Sequence, residues 1–196
     1  VALNNSGVVL PISEGFVSAT FPPSGWSIFN NNSSPTTWIR TTTAGRAPTA
    51  GNSMMFDNNN YNDSDDDEVR MTAASFAGLS SAQLTFDVAY APYNATFFDG
   101  LQVLVSTDCG QTYSSVYSKS NTVLATAAAT TANFTPTAAQ WRTETIDLSA
   151  YVGQGSVIVS FKNLSGNGNR LFVDNINLTG VAAATPPTAS FTGTPT

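Results

Sequence analysis

The stretch Leu171-Phe172-Val173-Asp174-Asn175-Ile176-Asn177-Leu178 predicts a β-strand. Period-two alternation places Asp174 on the same face as Phe172, Ile176 and Leu178. A carboxylate on an apolar face is costly unless a cation or several hydrogen bonds satisfy it. This segment therefore predicts both a β-strand and a candidate binding site at Asp174.

Two kinds of partner are open for Asp174. The chain has no His and only 7 Lys and Arg residues in total, so side-chain cations are scarce. A bound metal ion is one candidate, and an all-oxygen environment favours calcium. The other candidate is a set of backbone N–H donors from a neighbouring loop.

Further strand patterns recur along the chain, separated by turns rich in Gly, Asn, Asp and Pro. They lie at residues 53–56, 68–71, 84–90, 101–105, 113–117, 141–148 and 157–161. Amphipathic helical patterns do not separate them, so we expect an all-β fold, an antiparallel β-sandwich of jelly-roll type. Residues 124–139 are rich in Ala and Thr and contain Pro136, which predicts a long loop with one helical turn.

The domain is expected to span residues 1–180. Residues 181–196 open on an Ala-rich and Pro-rich stretch, which predicts a linker followed by the truncated start of another domain.

Composition excludes several classes of function. Charged residues make up 10% of the chain and hydrophobic ones 41%, a balance that suits an extracellular β-protein. The net charge of −6 and the pI near 4.2 argue against nucleic acid and against an anionic membrane surface. No apolar run is long enough for membrane insertion.

Enzymatic chemistry is poorly supported. Without His the chain lacks the parts of a triad and the usual zinc ligands, and Cys109 has no identifiable base. A pair of carboxylates can hydrolyse glycosides, but such dispersed acids occur in any acidic protein. We predict no catalysis from the candidates Asp87, Asp99, Glu144 and Asp147.

The densest negative charge lies at residues 57–68. This run lacks the Gly and the spaced Glu of an EF-hand, so a solvated loop and a calcium site are both open. The candidate ligands are Asp57, Asp65, Asp66 and Asp67, with Asp99 before a strand on the same kind of edge.

A carbohydrate site is a further candidate. Exposed aromatic rings can stack on sugar rings while amides supply hydrogen bonds, although most large aromatic residues fill cores. The candidate ligand-binding residues cluster around loops and are Tyr61, Tyr93, Asn94, Phe97 and Phe98.

Four segments in the same order carry a family resemblance. They are residues 22–28 (PPSGWSI), 99–110 (DGLQVLVSTDCG), 141–151 (WRTETIDLSAY) and 171–176 (LFVDNI). Residues 12–178 resemble the MAM-like, cleaved-adhesin or choice-of-anchor jelly-roll domains of secreted Bacteroidetes proteins. Residues 186–191 (PPTASF) resemble the start of a PKD-type domain. Arg70 departs from the family, where an apolar residue is usual, as does the insertion near Leu124.

The resemblance implies a structural calcium ion between the first strand region and the last strand, with Glu14 and Asp174 as the pair. It implies a non-catalytic accessory or adhesion module of a larger secreted or cell-surface protein, such as a pappalysin-like metalloprotease or a large adhesin. The expected partners are an extracellular protein or glycan and other domains of the same parent chain. A carbohydrate-binding module that uses the loop aromatics is the alternative.

Overall fold

The computed structural model describes residues 7–49, 51–60 and 66–184. Its strands in chain order are β1 (Val8–Val9), β2 (Ile12–Glu14), β3 (Ser27–Phe29), β4 (Ile39–Thr41), β5 (Ser53–Asp57), β6 (Glu68–Arg70), β7 (Ala74–Ser75), β8 (Leu79–Tyr90), β9 (Gly100–Ser106), β10 (Ser114–Ser120), β11 (Arg142–Asp147), β12 (Ile158–Leu164) and β13 (Arg170–Ala182). The single α-helical turn of the described residues is α1 (Asn121–Leu124), and 3-10 turns lie at Asn58–Asn60, Ala138–Gln140 and Ser149–Tyr151.

Two sheets face each other across the main core. The six-stranded sheet has the order β11-β8-β13-β5-β4, with β2 also paired to β13, and the five-stranded sheet has the order β10-β9-β12-β6-β3. All pairings within these two sheets are antiparallel, whereas β1 and β7 form a separate parallel pair. The expected antiparallel β-sandwich is confirmed.

The alternating residues of the strands build that core. On β8, Leu84, Phe86, Val88 and Tyr90 point inward and are fully buried. Phe86 meets Phe161 of the facing sheet edge-on, with ring centroids 5.2 Å apart. The period-two pattern of the sequence is therefore the pattern of burial.

The Ala-rich and Thr-rich segment is a loop, as predicted, and it covers the outer face of the six-stranded sheet. Its Phe134, and Trp141 at its end, both pack edge-on against Phe172 of β13, at centroid distances of 6.1 and 6.3 Å. Met55 and Ala89 complete this second apolar cluster. The insertion therefore buries a sheet face that would otherwise be exposed.

One sequence prediction about β13 is wrong. The sequence places Asp174 on one face with Phe172, Ile176 and Leu178. Phe172 does lie with it on the outer face of β13, whereas Ile176 and Leu178 point into the main core. The pairing of β13 with β8 shifts between Asp174 and Asn177, and Asn175 has φ of 48°. This bulge inserts an extra residue and reverses the alternation.

The strand β13 also runs further than expected. It continues to Ala182, with Val181 opposite Ser81, so the first residues of the predicted linker belong to the sheet. Residues 185–196, including the predicted start of a PKD-like domain, lie outside the described residues. No helix of the described ranges is long and apolar enough to cross a membrane.

A buried carboxylate joins the loops at one end of the sandwich. Asp99 is 1% exposed and lies just before β9. Its Oδ1 accepts the backbone N–H groups of Gly166 and Gly168 at 3.0 Å each, and its Oδ2 accepts that of Asn169 at 2.7 Å. The Tyr90 hydroxyl donates to Oδ2 at 3.1 Å. Burial raises the pKa of Asp99, and these hydrogen bonds oppose that rise.

Buried asparagines extend this network. Asn58 and Asn163 exchange two amide hydrogen bonds of 3.2 and 2.8 Å. Asn169 donates to the carbonyl groups of Thr130 and Ala132 and accepts from the N–H of Phe134 at 2.9 Å. The loop that follows β5, the long Ala-rich loop and the β12–β13 turn are therefore tied together at one end.

Gly168 provides a test of this network. A Cβ at Gly168 would lie 2.2 Å from Oδ2 of Asp99. We expect Gly168→Ala to lower the free energy of unfolding by at least about 2 kcal/mol, because the buried carboxylate must lose N–H partners. Gly155→Ala is the matched control, since its Cβ would meet nothing within 4 Å. We expect that variant to stay within about 0.5 kcal/mol in chemical denaturation. Equal losses in both variants would contradict the role given to Asp99.

Candidate functional site

The segment that joins β8 to β9 forms a tight turn at the end of the sandwich where Asp99 lies. Oδ1 of Asn94 accepts the backbone N–H groups of Thr96 and Phe97 at 2.8 Å each. The N–H of Asn94 donates to the Phe97 carbonyl at 3.2 Å. An Asn side chain that bonds the backbone two and three residues on is a typical turn-former. The turn fixes the direction of Phe97.

Tyr93 and Phe97 form one wall of a cavity of about 220 Å³. Their rings meet edge-on with centroids 6.4 Å apart, and Phe97 is 43% exposed. Asn59 and Asn167 line the same cavity. We call these four residues the aromatic loop site.

Asn167 leaves a polar atom unsatisfied in the aromatic loop site. Its Oδ1 is buried and has no hydrogen-bond partner among the described residues. Its backbone is left-handed, with φ of 59°, in the turn that Asp99 holds on either side at Gly166 and Gly168. A buried acceptor without a partner costs free energy that a ligand donor can recover. Asn59 and Asn167 were missed by sequence reasoning, because the chain is rich in Asn.

The predicted ligand-binding residues are only partly brought together. Tyr93 and Phe97 share the aromatic loop site, whereas Asn94 lines a neighbouring cavity of about 290 Å³. The rest of that lining comprises Pro92, Ala95, Asn121, Thr122, Ala125, Ala127, Ala128 and Ala129. Phe98 is half-buried and lines neither cavity, and its carbonyl would be 2.0 Å from a Cβ on Gly166. Tyr61 lies outside the described residues.

Asp174 is fully buried and accepts three hydrogen bonds. Its Oδ2 accepts the backbone N–H of Arg46 at 2.8 Å and the Thr49 hydroxyl at 2.7 Å, and its Oδ1 accepts the N–H of Asn175 at 2.7 Å. Burial raises the pKa of this carboxyl, while these donors work in the opposite direction. The neighbouring-loop donors that the sequence left open are present.

Asp87 stands directly opposite Asp174 in the pairing of β8 with β13. Opposed like charges destabilise a sheet, and Arg46 offsets them here. Its Nη1 lies 2.5 Å from Oδ1 of Asp87, and Asn175 donates to Oδ2 of the same carboxylate at 2.8 Å. Sequence reasoning did not find Arg46, although the scarcity of cations in the chain was a signal.

Glu14 lies beside this acid pair, in a separate cavity of about 430 Å³. Its Oε1 accepts the N–H of Phe16 at 2.5 Å. Its lining comprises Ser13, Glu14, Gly15, Pro48, Thr49, Asn175 and Asn177, which include one carboxylate, two hydroxyl and two amide side chains. Carboxylate, hydroxyl and amide oxygens suit calcium. Within the described ranges, however, no three acidic, His or Cys side chains group closely enough to hold a metal ion.

The structure does not gather the other predicted metal ligands. Asp57 pairs with Nε of Arg170 at 3.0 Å, and Asp66 lies 3.5 Å from Nζ of Lys162. Asp67 accepts the N–H of Asn31 at 2.8 Å, and Asp99 is the acceptor at the centre of the loop network described above. Asp65 lies outside the described residues. These acids act separately in the fold, and calcium stays a prediction.

Asp174 yields a testable expectation. We expect Asp174→Ala to cost at least about 2 kcal/mol of unfolding free energy, because three buried donors lose their acceptor. Asp66→Ala removes a half-exposed ion pair and should cost less than about 1 kcal/mol. Chemical denaturation of both variants measures the difference. Similar losses would show that burial of the Asp174 carboxylate is not what matters.

Solved structures with a similar fold include a cleaved adhesin domain and carbohydrate-binding domains. A cleaved adhesin domain of Lys-gingipain from Porphyromonas gingivalis superposes with a TM-score of 0.62 at 16% identity, covering 87% of this chain and 98% of that one. CBM27-1 of Caldicellulosiruptor saccharolyticus, in complex with mannohexaose, gives a TM-score of 0.57 at 12% identity, covering 86% and 96%. The CBM22-1 xylan-binding domain from Paenibacillus barcinonensis Xyn10C gives 0.53 at 12% identity, covering 88% and 95%.

No protein-family model and no curated protein sequence matches this chain. At these identities the likeness establishes the fold alone. The chain has the β-sandwich fold of cleaved adhesin domains, which it shares with carbohydrate-binding modules, and the resemblance seen in the sequence is confirmed at that level.

Proposed function

We propose that this chain is a non-catalytic adhesion or interaction module of a larger secreted or cell-surface bacterial protein, and that an extracellular protein or glycan is its partner. The observation that carries the proposal is the aromatic loop site. An exposed ring at Phe97 stands beside a buried, unsatisfied amide oxygen at Asn167 on a turn that Asp99 holds in place. Such a rigid, partly apolar site with a few fixed polar groups is typical of binding surfaces.

The acidic residues support the non-catalytic part of this proposal. Asp87 is bound by Arg46, and Asp99 is saturated by backbone N–H groups. Glu144 pairs with Lys119 and Arg142 at 2.6 and 2.7 Å, and Asp147 accepts the N–H of Ser149 at 2.9 Å. Glycoside hydrolysis needs two carboxyl groups facing one cleft. Each candidate acid instead serves its own structural contact.

Carbohydrate binding is the second candidate function, and the lining of the aromatic loop site favours it. Aromatic rings offer an apolar face to a sugar ring, while the amides of Asn59 and Asn167 offer donors and an acceptor to its hydroxyl groups. The cleaved adhesin likeness favours a protein partner equally. The two candidates therefore call for a direct comparison.

A glycan array compares them. We expect the wild-type chain to bind a subset of neutral glycans, and the double variant Tyr93→Ala with Phe97→Ala to weaken that binding at least about tenfold, because stacking surface is lost. Ile39→Ala is the control, since Ile39 is similarly exposed, at 47%, on β4. Silence of the wild-type chain on the array would remove the carbohydrate candidate. A double variant that still binds like wild type would remove this site.

We also propose that calcium stabilises the module, with Glu14 as a ligand beside Asp174. The support is the presence of carboxylate, hydroxyl and amide side chains in the cavity that Glu14 shares with Thr49, Asn175 and Asn177. A ligand that binds only the native state at a hundredfold excess over its Kd adds about 2.7 kcal/mol.

Chelation tests this proposal. EDTA should lower the melting temperature, calcium should restore it, and Glu14→Gln should remove the response to calcium. Magnesium at the same concentration is the control, because its rigid octahedral geometry suits this open cavity poorly. An unchanged melting temperature after EDTA treatment and calcium addition would contradict the calcium proposal.

A further inference from the structure

A further cavity lies at the opposite end of the five-stranded sheet from the aromatic loop site. Strand β9 begins at Gly100, next to the Asp99 network, and ends at Ser106, next to this cavity. The cavity has a volume of about 320 Å³. Its lining comprises Gly25, Ser27, Arg70, Met71, Thr72, Ala73, Cys109, Gly110, Tyr113 and Ile158. Arg70 is the one member of this lining that carries a full charge at neutral pH.

Arg70 is held rigidly on the outer face of the sheet. Its neighbour Val69 points into the main core, so alternation directs Arg70 outward. Its guanidinium carbon lies 4.2 Å from the ring centroid of Phe29 and 4.8 Å from that of Tyr113. Its Nε donates to Oε2 of Glu68 at 2.8 Å. Two aromatic contacts and one charged hydrogen bond fix the plane of the guanidinium group.

The far end of that guanidinium group is not bonded by the rest of the described fold. Glu68 occupies the Nε edge and is itself held by the Ser160 hydroxyl at 3.0 Å. The two Nη groups of Arg70 make no hydrogen bond to any of the described residues. A fixed pair of Nη donors matches the two oxygen atoms of a carboxylate.

Tyr113 adds a second donor to the cavity. Its hydroxyl is buried and lacks a hydrogen-bond partner among the described residues. A Cβ at Gly110, where φ is 84°, would lie 3.1 Å from that hydroxyl, so the turn is shaped around it. Burial raises the pKa of Tyr113, so the phenol keeps its proton at neutral pH. A buried phenol without a partner is costly unless something binds it.

The turn that presents Tyr113 is pre-formed. Asp108 accepts the N–H groups of Gln111 and Thr112 at 3.0 and 2.9 Å, and Ser106 donates to it at 2.7 Å. Hydrogen bonds from Thr112 and Ser106 lower the pKa of Asp108 to about 2, so this acid is committed to the turn. The turn therefore needs no ordering when a ligand binds, which lowers the entropic cost of binding.

We infer that this cavity binds the carboxylate of an acidic sugar, with the Nη groups of Arg70 and the hydroxyl of Tyr113 as the donors. Both donors belong to the lining of this one cavity, which includes no acid, and neither is bonded by a described residue. The nearby acids are already engaged, Glu68 by Arg70 and Ser160 and Asp108 by its own turn. The hydroxyl groups of Ser27 and Thr72 provide further hydrogen bonds of the kind that sugar hydroxyls use, and the exposed ring of Phe29 lies alongside. A peptide carboxylate is the competing source, but this lining offers it no enclosed apolar pocket for a side chain.

The test follows the backbone amide signals of Thr72, Gly110 and Tyr113, which line the cavity, by heteronuclear NMR while galacturonic acid is added. Galactose is the matched probe, because it keeps the ring and replaces the carboxylate by a hydroxymethyl group. Acetylated diglycine with a free carboxylate represents the peptide source. We expect saturable shifts with galacturonic acid, and at most a weak response to the other two probes. Added salt should weaken the binding, since it rests on a charge-assisted contact.

Two variants separate the donors from the fold. Tyr113→Phe should weaken the binding of galacturonic acid about fivefold, the effect of one hydrogen bond, without lowering the melting temperature, because the hydroxyl has no partner to lose. Arg70→Lys should weaken it at least about tenfold, because an ammonium group cannot bond bidentately. Tyr117→Phe is the control, since Tyr117 points into the main core against Phe86, and it should leave the binding unchanged.

Three outcomes would overturn the inference. Equal affinity for galactose and galacturonic acid would show that the carboxylate is not recognised. Binding of acetylated diglycine in place of galacturonic acid would assign the site to peptide ends. Loss of galacturonic acid binding in the variant Tyr93→Ala with Phe97→Ala, with binding intact in Arg70→Lys, would place the sugar in the aromatic loop site. The last outcome leaves the proposed function standing, so the two proposals fail separately.

Discussion

The Asp99 carboxylate accepts three backbone N–H groups and the Tyr90 hydroxyl at one end of the sandwich, and the loops of that end depend on it. A buried carboxylate without partners is expensive, so the β12–β13 turn must keep Gly166, Gly168 and Asn169 within reach of it. That requirement places Asn167 between two anchored residues. The aromatic loop site is thus a consequence of how one acid is satisfied.

The same constraint acts at Asp174 and Asp87, where two acids oppose each other across β8 and β13. The chain has few cations, and one of them, Arg46, serves this pair with both its backbone and its side chain. Asp174 lies on the same outer face of β13 as Phe172, where it meets the loop of Arg46 and Thr49, and the β-bulge at Asn175 returns Ile176 and Leu178 to the main core. Hydrogen-bond donors of the fold therefore satisfy the Asp174 carboxylate, and one guanidinium group pairs with Asp87. A bound calcium ion would add to these interactions.

Much of the fold could be predicted from the sequence, because strand alternation is local. The pattern at residues 84–90 corresponds to the buried face of β8, and Asp174 stood out correctly as a carboxylate that needed partners. The bulge could not be predicted, because a single extra residue changes the face of everything after it without altering the local pattern. The partners of Asp174 lie more than a hundred residues away, at Arg46 and Thr49. Such long-range hydrogen bonds leave no trace in residue spacing.

Polar atoms with no partner indicate where a ligand surface lies. The acids at 87, 99, 144, 147 and 174 each have partners within the fold. By contrast, Oδ1 of Asn167 and the hydroxyl of Tyr113 are buried without a partner in the described part of the chain, and each lies beside aromatic rings in a cavity. The two cavities lie at opposite ends of β9. Other buried atoms without a partner among the described residues, such as the Thr36 hydroxyl and the Trp141 indole N–H, line none of the cavities described above. The combination of an unpaired polar atom, neighbouring aromatic rings and a cavity is therefore what supports a binding role at Asn167 and Tyr113.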